Sequence, residues 1–595
     1  MPLTDYTGAL GVKRAAHLLR RATFGATKQK IDQFAAYTPD QAITELFRQT
    51  LDMPLPPIDP KTGQEWMTTG PTDANSKTYD LQMFFKSWFM GQMMSPGISS
   101  SSNLNLAWSA REKVVFFLHT HFTTIREKVD DSRALYFQNQ LFRLFALDAL
   151  NPDPDINFKM LTVKICVDSA MLKVLDGTSN VAGNPNENYA RELLELYSIG
   201  RGLEGVVPPP TNGDYHVFTE QDVKMAARVL SGWTTDDDYL TMDELTLLPR
   251  GTVRGGITNA SSHDNDTDPP KQFSSRFNNT IIEGDPTLMN GTSATEESAL
   301  DEIQQLIDMI YTQSETPLAA AKNICWKIYR FYVWGPHSSD ESIPIDSDII
   351  TDMANLFSSN GYKLQPVIEA LLKSTHFYES AAGVTDDNFG GIIKSPLDLV
   401  IGSLRLFDIQ PPDMATDPQA FYDFYYVLRD QIMYEQGMSF YDPYDVAGYE
   451  AYHQYPIYHR FWITPSNLTI RYDFIRYLIT ESLTDKYQGL PKVNVYQFVS
   501  TNFAAVAASA PDLVVELSKY FFPVTDNLDY NDANDSAAAP PGLTAPRLNY
   551  FKQKLLGGFD DAYWETRWNE GAGDLRTQLE FLFNAMLQSP EFQLS

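Results

Sequence analysis

The stretch that decides the fold class runs from Asp168 to Trp233. It reads D-S-A-M-L-K-V-L-D-G (168–177), N-E-N-Y-A-R-E-L-L-E-L-Y-S-I-G (186–200) and F-T-E-Q-D-V-K-M-A-A-R-V-L-S-G-W (218–233). Each piece has apolar residues at helical spacing and polar residues at its ends. Projected at 100° per residue, Tyr189, Ala190, Leu193, Leu194, Leu196 and Tyr197 form one arc, and Glu187, Arg191 and Glu195 line up opposite as an i, i+4 ion-pair ladder. Asp222 falls within the apolar arc of its helix, but T-E-Q-D (219–222) reads as a capping box, which explains an inward carboxylate without catalysis.

Outward from this stretch the helical period continues. Residues 10–50 read as two amphipathic helices joined at F-G-A-T, with Thr27 as N-cap; 51–77 read as a loop, and 78–150 as helical with a break at 95–103. Between 234 and 296 the period disappears under Asp, Asn, Thr, Gly and Pro, which predicts an inserted lobe of small strands and ordered turns. Helices return from 297 to 480, with Tyr-rich loops between 418 and 470, and again from 481 to 595 around a linker at 524–546. The expected architecture is mostly α: a large multi-helix body of regions 1–233, 297–480 and 481–595 with the irregular, small-β lobe 234–296 inserted, as one continuous body.

Composition limits the function. The 595 residues are 43% hydrophobic and 21% charged, the balance of a globular chain. A net charge of −30 argues against nucleic-acid binding and against anionic membrane surfaces. No apolar run reaches membrane-spanning length, and M-P-L-T-D-Y-T-G has no basic region followed by an apolar run, which taken literally means cytoplasm. The two cysteines, Cys166 and Cys325, sit in apolar helical contexts, where a free thiol packs as a small hydrophobe; a bridge between them stays open.

Several further stretches carry a family resemblance: A-A-H-L-L-R-R-A-T-F-G-A-T (15–27), R-E-K-V-V-F-F-L-H-T-H-F (111–122), H-D (263–264), W-K-I-Y-R-F-Y-V (326–333), K-S-P-L-D-L-V (394–400) and D-P-Y-D-V-A-G-Y (442–449). With the 168–233 run, in this order, they resemble the bacterial family catalogued as domain of unknown function 1800. The resemblance implies an exported or cell-surface protein, often encoded beside a second family that resembles sulfatases, and it implies no reaction. Tyr449 stands where that family commonly has Trp.

Chemical candidates remain few. His119 and His121 point about 200° apart on a helix and cannot chelate one ion together. Glu112, seven residues before His119, lies on nearly the same face of an apolar and hence buried helix, so a buried Glu–His pair is one candidate site and a hydrogen-bonded core histidine the bland alternative. Asp264, Asp266 and Asp268 alternate as in calcium loops, without the turn glycine and distal Glu of the helix-loop-helix motif. Calcium is therefore a possible cofactor and a solvated acidic loop the alternative. Nucleophile-elbow, zinc-protease and phosphate-loop motifs are absent. The Tyr-rich region 420–460, with His453 and His459, reads as a groove for a sugar or partner chain, or as aromatic core.

Two function classes follow. The first is a binding or assembly protein that holds a protein partner or surface polymer. Its prediction is that no deep pocket gathers several His and carboxylate side chains. The second is a metal-assisted enzyme built on Glu112 and His119, with Asp168, Arg191 or Asp222 contributing from facing helices.

Overall fold

Helix starts are written into the sequence as a repeated local device. Thr38, Ser395 and Thr464 each act as N-cap, accepting a backbone N–H with the side-chain oxygen, and each is followed by proline at the first helical position. The side-chain oxygen satisfies one orphan donor, and proline has no N–H to orphan and a φ already suited to the helix. Thr27 caps Lys28–Ala35 as expected. The Thr38–Pro39 start divides the N-terminal segment further than its periodicity indicates. There are three helices, Gly11–Ala22, Lys28–Ala35 and Pro39–Phe47, instead of two.

The computed structural model describes residues 3–203, 211, 214–312, 318–335, 347–378, 388–525, 528–531 and 543–595. Among the described residues the chain is mostly helical, with three two-stranded antiparallel sheets pairing Ile58–Asp59 with Gln64–Glu65, Trp233–Thr234 with Thr252–Val253, and Lys271–Gln272 with Ile281–Ile282. The last two lie in the irregular lobe. Part of the 524–546 linker falls outside the described residues.

The axis of the body is the helix Asn103–His121, in which every residue from Asn105 to His119 is buried, as its apolar run predicts. Around it, buried side chains from nearly every helix join one hydrophobic cluster, running from Leu10 to Phe592. The lobe is fastened to this body by buried charge. Arg228 grips Asp264 (Nε 2.9 Å, Nη2 3.0 Å), Lys271 reaches Glu302, and the His263 ring contacts the Ser231 carbonyl at 2.9 Å. Thus H-D at 263–264 is an anchor for the lobe.

Cys166 and Cys325 are unbridged and buried, and burial pushes both thiols far above their ordinary pKa. A thiol reagent is therefore expected to leave both unlabelled in the native protein and to modify two per chain on unfolding, as read by mass spectrometry.

Candidate functional site

The two ends of the proposed Glu112–His119 pair face different neighbours. Glu112 is held by Arg143 (2.9 and 2.5 Å) and Arg111 (3.1 Å), with no exposure for Glu112 or Arg143. Burial alone would raise the Glu112 pKa, but the two guanidiniums outweigh it and hold the carboxyl below its ordinary value. His119 stacks on Tyr441, ring centroids 4.0 Å apart, and neither ring nitrogen has a hydrogen-bond partner. Burial lowers its pKa to about 3, so it stays neutral.

The other candidates also hold structure together. Asp168 caps Ser169–Val174 through Met171 N–H and accepts from Gln138, both at 2.9 Å; burial raises its pKa to about 7. Arg191 takes both oxygens of Glu220 (2.7 and 2.8 Å) and continues the expected ladder to Glu187 and Glu195 at 3.4 and 3.8 Å. Asp222 reaches back to the Thr219 N–H at 2.7 Å and also accepts from the Ser274 N–H at 2.7 Å, so the capping box doubles as a tie to the lobe. Asp264 is occupied by Arg228, while Asp266 and Asp268 are exposed. Among the described residues no three His, Cys, Asp or Glu side chains are grouped to hold a metal ion.

A unified acid stability limb follows from His17, His119 and His121, all held neutral chiefly by burial. Their folded pKa values lie below the unfolded value of 6.5, so the stability they contribute is present above that pH and lost as pH falls below it, for His119 down to about 3. His119→Phe, which replaces a partnerless ring by an apolar one of similar shape, is expected to keep stability within about 1 kcal/mol near neutrality and to weaken the acid limb. Urea melts at neutral and mildly acidic pH check this.

A cavity of about 430 Å³ lies elsewhere. Two helices present stripes to it at helical spacing: Lys113, Phe117, Thr120 and His121 from Asn103–His121, and Asn323, Trp326, Lys327, Arg330 and Phe331 from Ala319–Tyr332. The third wall is the π-helical turn Leu193–Tyr197 that ends the E-N-Y-A-R-E-L-L-E-L-Y helix, and the fourth comes from residues 392–398 and 445–462.

The π turn is stabilised by side chains from the neighbouring walls. A helix end leaves carbonyls without partners. Here Lys327 donates to Leu196 O at 2.5 Å, His121 Nε2 to Tyr197 O at 3.1 Å, and Asn323 to Ser198 O at 2.8 Å. Gly200 closes the turn at φ +73°, and a Cβ there would lie 2.7 Å from the Asn323 side chain. The Lys327 ammonium also donates to His121 Nδ1 at 3.2 Å. Because an ammonium can only donate, Nδ1 is the acceptor and Nε2 carries the proton. Burial and the Lys327 charge keep this ring neutral.

Arg330 is fixed as firmly. Its guanidinium lies 4.4 Å from the Tyr458 ring centroid and 5.3 Å from that of Trp326, and Nη1 donates to Tyr452 O at 3.2 Å. Opposite, D-P-Y-D-V-A-G-Y is pinned at Asp442 by Lys86 (2.9 Å) and Arg126 (3.2 Å), and brings Asp445 to the cleft lip. Gly448 permits this path, with φ +97° and only 2.7 Å between a hypothetical Cβ and the Thr123 hydroxyl. Four cationic side chains (Lys113, Arg201, Lys327, Arg330) thus line the cleft against three carboxylates (Glu195, Asp398, Asp445), in a chain of net charge −30.

The Tyr-rich region divides between aromatic core and cleft lining. Tyr441 and Tyr449 are buried, with Tyr449 Oη accepting the Tyr441 N–H at 2.8 Å, while Tyr452, His453, Tyr455 and His459 line the cleft. Lys327, Arg330 and Asp445 carry no motif that marks them alone. The available signal is W-K-I-Y-R-F, where Trp326/Arg330 and Lys327/Phe331 are i, i+4 pairs that place cations beside aromatics.

A family model described as Protein of unknown function (DUF1800) matches residues 17–594. No curated protein and no solved structure matches the chain.

Proposed function

Because the chain belongs to the DUF1800 family, a kinship that specifies no reaction, its role has to be read from the cleft, and we propose that the protein binds a segment of acidic polysaccharide there. One observation carries the reading: a cleft of about 430 Å³ with cations in excess and aromatic walls, within a strongly acidic chain. Its volume lies within the roughly 300–1,000 Å³ of small-ligand sites. Aromatic faces suit the apolar faces of sugar rings, guanidinium and ammonium groups suit ring carboxylates, and Asn323 and Gln454 suit hydroxyls. The surrounding negative charge disfavours adventitious polyanions elsewhere on the surface. A surface or extracellular polymer also agrees with the exported character that the family resemblance implies.

A second reading, an enzyme, is favoured by a specific feature of the same cleft: His121, His453 and His459 lie with Glu195, Asp398 and Asp445 in its walls. That gathering counts against a purely architectural protein. Calorimetric titration with oligogalacturonate and with a neutral oligosaccharide of equal length separates binding from its absence. Saturable binding of the acidic chain, weakened by salt, is expected; equal or no binding of both would refute the reading.

A further inference from the structure

Three imidazoles line the cleft, and their nitrogens are committed differently. His121 uses both, one toward Lys327 and one toward Tyr197 O. His459 Nδ1 accepts the Ile393 N–H at 3.2 Å. His453 is set by a hydrogen bond to the Gly448 backbone carbonyl, and its Nε2 is buried with no partner. A buried nitrogen without a partner is destabilising, so its presence in a cleft wall calls for an explanation. Donation by Nδ1 leaves the Nε2 lone pair as the unused atom.

The carboxylates of the cleft are not arranged for sugar hydrolysis, which needs two carboxyl groups flanking the bond, one of them a proton donor. Asp398 is held by Lys113 and by Ser395 Oγ (2.8 Å), and Glu195 by Arg201 and, at 3.8 Å, Arg191. Among the described residues Asp445 alone of the three has no ion pair of this kind, and it lies at the lip beside His453. What the cleft does combine is a neutral base, cations to neutralise a ring carboxylate, and tyrosine hydroxyls.

We propose that His453 is the general base of a β-elimination that cleaves the acidic polysaccharide held in the cleft, an inference that rests on the binding reading above. His453 Nε2 removes the proton on the ring carbon next to the carboxylate. Arg330 and Lys327 spread the charge that develops on that carboxylate. The electron pair of the broken C–H bond forms a carbon–carbon double bond as the adjacent carbon–oxygen glycosidic bond breaks. The departing oxygen takes its proton from Tyr455, which the proton on His453 then restores. No water, oxidant or reductant is consumed. His453 is held neutral by burial, with Lys327 and Arg330 acting in the same direction and Asp445 and the Gly448 carbonyl opposing, so activity should persist as pH drops through the ordinary imidazole range and fall only at more acidic pH.

The test incubates the full chain with polygalacturonate, polymannuronate and hyaluronan, and follows the ultraviolet absorbance of the unsaturated ends. The expected result is unsaturated ends from at least one polymer, with no oxygen incorporated from isotopically labelled water. His453→Gln should slow this by about two to four orders of magnitude, and Tyr455→Phe comparably, while affinity changes by less than about threefold. Binding without unsaturated ends, ends that carry labelled oxygen, or an unimpaired His453→Gln would overturn the inference and leave the binding reading intact. Absence of binding to all three polymers would overturn both.

Discussion

Arg143→Met is expected to lower unfolding free energy by about 3–5 kcal/mol, the usual consequence of removing one member of a buried ion pair. Arg143 supplies two hydrogen bonds to Glu112, and neither side chain is exposed. The large effect comes from what is left behind. Glu112 would retain only the single 3.1 Å contact from Arg111 Nε, and its remaining oxygen would be buried without a donor. Neutralising both partners, with Glu112→Leu added to Arg143→Met, should recover much of the loss, since apolar replacements of a buried pair are often tolerated. A double-mutant cycle on denaturant midpoints checks this. Metal dependence of stability at this pair, in place of Arg143 dependence, would support a metal-assisted core site.

Arg330→Met is expected to weaken acidic-oligosaccharide binding by roughly 10- to 100-fold, in line with about 1.5–3 kcal/mol for hydrogen bonds to charged groups. Methionine keeps the stem between Trp326 and Tyr458 filled, so stability should change little while the salt dependence of binding flattens. Arg330→Lys should not restore full affinity. An ammonium cannot reproduce a planar guanidinium stacked 4.4 Å from a tyrosine centroid. Calorimetry at two salt concentrations reads both effects.

How much was legible depended on how local the cause was. The Thr27 cap, the Asp222 capping box and the Glu187–Arg191–Glu195 ladder are set by neighbours within four residues, and each is present. The irregular lobe was legible for a related reason: over 234–296 no helical period survives to compete with turns. The burial of Asn103–His121 followed from an apolar run with no polar face, but the partners of its charged residues did not. Glu112 and His119 share a helix face and are about 10 Å apart along the axis at 1.5 Å per residue, far enough for one to meet Arg143 and the other Tyr441.

The π turn and the cleft as a whole were not legible, because neither has a local cause; only the wall carrying His453 and His459 was read, as a groove or as aromatic core. Leu193–Tyr197 is stabilised by Lys327, His121 and Asn323, which arrive from other helices more than 70 residues away in sequence. The cleft needs five separate segments, and its cations look on paper like ordinary solvated charges. Several of the stretches that carried the family resemblance nevertheless converge there: 111–122, 186–200, 326–333, 394–400 and 442–449 each contribute a wall residue. The 15–27 stretch and His263–Asp264 lie elsewhere; the latter fastens the lobe.

The measurement closest to the central claim is a crystal structure of the protein with a short oligogalacturonate at saturating concentration. A sugar ring against Tyr455, with its carboxylate on Arg330 or Lys327, is the result expected if the cleft is the ligand site. An empty cleft beside a ligand bound at another surface would contradict it.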